Sequence, residues 1–218
     1  MTMNWGQLKT AIQSGLENTE TTFVANMEEI ATRAENLIYR AVILPDGFTE
    51  TSASFTANQS TVTAPSGFIR PRFMKVAVSS VNSPILLKDA SFIREVYPNS
   101  STTGVPKYYS LQTTDSSFNT TIITAPTPAS TYTYTLGWYG VGTTIVNTSS
   151  DTQNSWLGTH AEETLLAGCI LEGYIFMKGS PDMMEIYQAD FSAKLAFLRG
   201  QAALGMTQDD YQPDAVLV

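Results

Sequence analysis

The sequence predicts an α+β protein: a four-helix bundle, built from two N-terminal and two C-terminal helices, with a small antiparallel β-sandwich or barrel inserted between its halves. Three observations carry that expectation. Apolar residues recur at helical spacing at both ends of the chain. The middle is Thr-, Ser-, Val- and Tyr-rich and is interrupted by Pro and Gly every 8 to 20 residues. A short polar link, Thr-Ser-Ser-Asp-Thr-Gln at 148–153, separates this middle from the second helical part. The expected division is a helical part from 1–47 and 148–205, a β-rich insert from 48–147, and an extended tail from 206–218.

The first helix is read from Trp5, Leu8, Ile12 and Leu16, with Asn4 and Gln7 spaced as a capping box. A second run follows Asn18 and Thr19. Its apolar stripe, Phe23, Met27, Ile30, Ala34, Leu37 and Ala41, advances by steps of 4, 3, 4, 3 and 4. Glu20, Glu28 and Glu29 sit early and Arg33 and Arg40 late, as the helix dipole prefers. Pro45-Asp46-Gly47 ends the pattern.

In the middle, 73–81, 107–112, 118–124 and 131–139 read as strands. Tyr132, Tyr134, Leu136 and Trp138 alternate with small or polar residues, so one strand face is aromatic. One exception is a short helix after Asp89 or Ser91, closed by Pro98. The third long helix is expected from about Trp156 to Lys178, with Gly179 as its stop. Ser180-Pro181-Asp182 starts the fourth, whose stripe is Met184, Tyr187, Phe191, Leu195 and Leu198, with Gly200 and Gly205 weakening its end.

Charge and composition narrow the function. The net charge is −8, which argues against wrapping nucleic acid, because neutralising phosphates takes Lys and Arg. Charged residues make up only 15% against 43% hydrophobic, with hydroxyl residues filling the gap. Such a surface suits a subunit packed against neighbours, and equally a sandwich with Thr-rich strands. No N-terminal basic and apolar segment marks a secretory signal, and no apolar run is long enough to span a membrane. The sequons at Asn58, Asn99, Asn119 and Asn147 are then chance products of the Thr/Ser content.

No catalytic set converges. His160 is the single histidine and Cys169 the single cysteine; Cys169 falls on an apolar helix face and reads as a buried, inert thiol. Gly137, Gly140 and Gly142 follow a strand but lead into Thr-Thr-Ile-Val, so they form no phosphate loop. Glu28-Glu29 and Glu162-Glu163 are adjacent pairs that diverge on a helix, and Asp209-Asp210 would meet a calcium ion only by chance. No catalytic, cofactor or metal residue is assigned. The candidate contact residues are the basic cluster Arg70, Arg72 and Lys75, and the tail residues Asp209, Asp210, Tyr211, Val216, Leu217 and Val218. The basic cluster reads as a solvated strand edge, or more sharply as a contact for DNA phosphates or a partner's acidic segment.

Two stretches resemble a known family. Ala34-Glu35-Asn36-Leu37-Ile38-Tyr39-Arg40 is similar to its helical signature. Pro106-Lys107-Tyr108-Tyr109, Ala125-Pro126-Thr127-Pro128 and the run Tyr132-Thr133-Tyr134-Thr135-Leu136-Gly137-Trp138-Tyr139 follow the family's order of strand motifs. Asn154-Ser155-Trp156-Leu157 stands where the family has Asn-Trp-Leu, and His160-Ala161-Glu162 where it often has His-Pro-Asp. The family is the tail tubular protein A-like, head-to-tail adaptor group of podovirus-type bacteriophages. The resemblance implies a structural virion protein with no enzymatic activity and no cofactor. It implies a homo-oligomeric ring, commonly a dodecamer, at the head-tail junction beneath the portal protein. The next tail protein, a nozzle or tail-tube component, would bind below, and genomic DNA would pass through the lumen without sequence-specific binding. The protein would be made in the host cytoplasm. Two other readings compete: another phage neck or tail completion protein, and a surface- or carbohydrate-binding module presenting the aromatic strand face.

Overall fold

The computed structural model describes residues 2–79, 81–113 and 119–207. The chain divides into two compact units, one of Met1–Gly47 with Val141–Val218, the other of Phe48–Gly140. The described residues hold six α-helices and nine strands.

The first unit is helical. Helix α1 (Trp5–Leu16) starts at the reciprocal Asn4–Gln7 capping box and closes at Glu17 in the left-handed conformation. Helix α2 (Thr21–Ala41) buries Phe23, Met27, Ile30 and Ala34. Beyond Ala34 the buried side turns to Glu35, Ile38 and Tyr39, leaving Leu37 exposed. Helix α4 (Trp156–His160) is a separate short piece, capped by Ser155, and the chain breaks at Ala161 before α5 (Glu162–Phe176). Sequence periodicity merged these two because apolar residues run through both. The break has a local cause: the Met3 backbone N–H bonds the Gly158 carbonyl, and a Cβ on Gly158 would lie 2.4 Å from the Met3 carbonyl oxygen. Helix α6 (Pro181–Thr207) starts at the expected Ser-Pro-Asp and continues through Gly200.

Helix α5 is apolar on nearly every side and is the hub. Helices α1, α2, α4 and α6 each pack on it, as a helix without a polar stripe requires. Gly173 lets α1 approach, since a Cβ there would lie 2.6 Å from Leu16.

The second unit is one mixed seven-stranded sheet that approaches a barrel. Its strands are β1 (Phe48–Phe55), β2 (Thr61–Thr63), β3 (Phe68–Val78), β4 (Val81–Leu87), β6 (Tyr108–Thr113), β7 (Thr120–Ala125) and β9 (Tyr132–Gly140), in the order β1-β9-β3-β4-β6-β7-β2. Two further short strands, β5 (Thr103–Gly104) and β8 (Thr127–Pro128), pair separately.

The expectation of a four-helix bundle with a small inserted antiparallel sandwich or barrel is therefore corrected. Two short helices, α3 (Ala90–Val96) and α4, join four long ones, and three of these, α1, α2 and α6, pack on the fourth, α5, rather than forming a ring of neighbours. The β part is larger than expected, and it is mixed. Strands β4 and β6 run parallel, Leu86 opposite Tyr108 and Leu87 opposite Tyr109, and α3 lies in the crossover. A parallel pair needs such a crossover, and periodicity within each strand carries no information on which partner it chooses.

Candidate interaction surfaces

Helix α6 carries two apolar stripes. The one read from the sequence faces the helical core: Phe191 and Leu198 are buried, and Met184, Tyr187 and Leu195 pack against it. The other was not expected. Met183, Ile186 and Phe197 are exposed, Ile186 by 58% and Phe197 by 69%. At helical geometry they lie roughly 110° round from the first stripe and extend over about 21 Å. Asp190, paired to Lys194, lies within the same face between Ile186 and Phe197. These large apolar side chains are exposed among the described residues, the kind of surface that marks a contact. The signal was present, since an amphipathic helix should turn polar beyond its core stripe, and α6 places Ile186 and Phe197 on that flank instead.

Near the C-terminal part of α6 lies an apolar hollow of about 330 Å³, lined by Ile43, Leu44, Pro45, Trp156, His160, Leu198, Gln201 and Ala202. The Trp156 and His160 rings are 5.0 Å apart on one wall.

The expected basic cluster lies on β3. Register places Tyr139 opposite Phe48 and Arg70, and Gly137 opposite Glu50 and Phe73. These residues share the sheet face turned away from the β core, which holds Tyr134, Leu136, Trp138, Met74 and Val76. Arg72 sits at an irregularity of β3. It donates to the Tyr139 hydroxyl at 2.9 Å and lies 5.3 Å from the Phe48 ring centre. Lys75 lies 5.6 Å from the Phe73 ring centre. Arg70 is half-buried, and its Nε finds no hydrogen-bond partner. The structure thus gathers Arg72 and Lys75 over Phe73, already beside them in sequence, and over Phe48 and Tyr139, which strand pairing brings from afar. The tail candidates Asp209, Asp210, Tyr211, Val216, Leu217 and Val218 lie outside the described residues.

Aromatic residues expected on one face of β9 are core residues: Tyr134 and Trp138 are buried, and the Phe55 and Tyr134 rings stack at 4.3 Å. A sugar-binding platform needs those rings in water, so this face does not offer one.

One feature of the helical unit had no place in the sequence reading. Glu35 is buried to 1% exposure in the helical core. Its carboxylate accepts from the Ile145 backbone N–H at 2.8 Å and from the Thr144 hydroxyl. Burial lifts its pKa, the two hydrogen bonds oppose that shift, and the neighbouring Asp46 charge adds to it. Asp46 in turn accepts from the Tyr39 hydroxyl and the Thr143 backbone N–H, each at 2.9 Å. Two carboxylates thus hold 143–145. Cys169 is fully buried, and burial pushes its thiol pKa far up. Among the described residues no group of His, Cys, Asp and Glu is arranged to hold a metal ion, and no helix is long and apolar enough to cross a membrane.

The family model for the SU10 adaptor protein matches residues 3–216, and the chain belongs to that family. It is a phage adaptor protein, in agreement with the resemblance read from its motifs. No curated protein matches the chain significantly.

Proposed function

We propose that this protein is the head-to-tail adaptor of a tailed phage, a non-enzymatic subunit that forms a ring beneath the portal and joins capsid to tail. The observation that carries the reading is the family match over residues 3–216. The outer face of α6, with Met183, Ile186 and Phe197, supplies a surface for the neighbouring copy in such a ring. The basic–aromatic face of Arg72 and Lys75 and the acidic-apolar tail, Asp209, Asp210 and Tyr211 with Val216, Leu217 and Val218, are the proposed contacts with the portal above and the next tail protein below. Genomic DNA passes through the lumen in this reading. A net charge of −8 per subunit favours passage without adhesion, since like charge repels the phosphate backbone.

The test is to mix the purified chain with the portal ring of the same virus and measure mass by light scattering. A discrete complex, heavier than the portal by a whole multiple of 23.8 kDa, is expected. A subunit that stays separate at every concentration contradicts the proposal.

A further inference from the structure

We propose that residues 215–218, Ala-Val-Leu-Val, seat in the hollow of their own subunit formed by Ile43, Pro45, Trp156, His160, Leu198 and Ala202. This inference concerns the free subunit and stands apart from the adaptor reading. Three observations converge on it. The hollow is largely apolar, and so is the segment, whose branched side chains would otherwise stay in water.

Reach is sufficient. Helix α6 ends at Thr207, and Ala202 and Leu198 lie about 8 and 14 Å back along it. The intervening residues 208–214 span up to about 25 Å when extended, enough to reverse direction and return.

Charge selects the side of approach. Arg199 is held toward the Ile43 end by its Nε bond to the Ala41 carbonyl, 3.2 Å. It offers positive charge to Asp209, Asp210 and Asp214 on that side. The adjoining hollow shares His160, Leu198 and Gln201 but is lined by Glu162 and Glu163, which repel the same acids.

Trp156 reports on the hollow, because Trp5 and Trp138 are buried in the two cores while Trp156 is half-exposed at its wall. In acrylamide quenching of the full chain, Trp156 is expected to be protected equally at all protein concentrations. Leu217→Asp is expected to abolish that protection, and excess peptide of residues 209–218 to restore it. Ala202→Glu, placed in the hollow instead, is expected to expose Trp156 in a way the peptide does not reverse. Identical quenching in the wild type and Leu217→Asp overturns the proposal. So does protection that fades on dilution, which assigns the segment to the hollow of a second copy. Thermal melting of both variants separates either result from a general loss of folding.

Discussion

The Glu35 carboxylate accepts the Ile145 backbone N–H at 2.8 Å across 110 residues of sequence. The bond ties the middle of α2 to the chain just after Gly140, where the strands have ended. With Asp46 holding Tyr39 and Thr143, it makes 143–145 part of the helical core rather than a loose link. Ile145 is fully buried as a result.

A pH dependence follows from the burial of Glu35. Its carboxyl titrates above the 4.5 of an unburied glutamate. Between that value and the raised one the folded state binds more protons than the unfolded state, so this group lowers stability as pH rises through the window. The neighbouring Asp46 charge acts on it, and its own charge acts in turn on Tyr39 and Cys169. Glu35→Gln removes the titration while keeping an acceptor for Ile145. Melting temperatures of the two proteins are expected to diverge as pH rises from 4.5 toward neutrality, the variant gaining on the wild type. Parallel curves would show that the carboxylate carries no such linkage.

Removing the acceptor altogether has the opposite sign. Glu35→Ala leaves the Ile145 N–H and the Thr144 hydroxyl without their partner in the core. The expected loss is about 2 kcal/mol in urea unfolding, the usual cost of a stranded buried donor. A variant as stable as the wild type would mean that water replaces the carboxylate.

Gly158→Ala tests the break between α4 and α5. The new Cβ would meet the Met3 carbonyl oxygen at 2.4 Å and the Ile145 side chain at 2.9 Å. Overpacking against backbone is expected to cost roughly 1–3 kcal/mol in spite of alanine's better helix propensity. Chemical denaturation reads the result directly, and a neutral or stabilising effect would remove the steric account of the break.

How much of this was legible in the sequence depends on the range of the interaction involved. Local signals were plain. The Asn4–Gln7 capping box and the Ser180-Pro181-Asp182 helix start are set by neighbours within four residues, and both stand in the structure. Long-range choices were not. Nothing in Leu86-Leu87 announces a parallel partner at Tyr108-Tyr109, so the mixed sheet could not be read. Nothing local marked Glu35 for burial, because its partners lie more than a hundred residues away. The basic cluster was visible as Arg70, Arg72 and Lys75, but its aromatic floor of Phe48 and Tyr139 arises only when β1 and β9 pair.

The outer face of α6 separates folding from assembly. Ile186→Ser with Phe197→Ser changes side chains that are more than half exposed. Stability of the free subunit is expected to move by less than about 0.5 kcal/mol per substitution. Accumulation of further copies beside the first on the portal is expected to fail. Melting and light scattering on the same samples check both halves, and full assembly by the double variant would place the copy-to-copy contact elsewhere.

The most direct measurement is electron imaging of the purified protein mixed with the portal ring of its own virus. The adaptor account predicts a closed ring of this subunit stacked on one end of the portal, coaxial with its channel. Portals that stay bare, or subunits attached at scattered positions without closure, would contradict it.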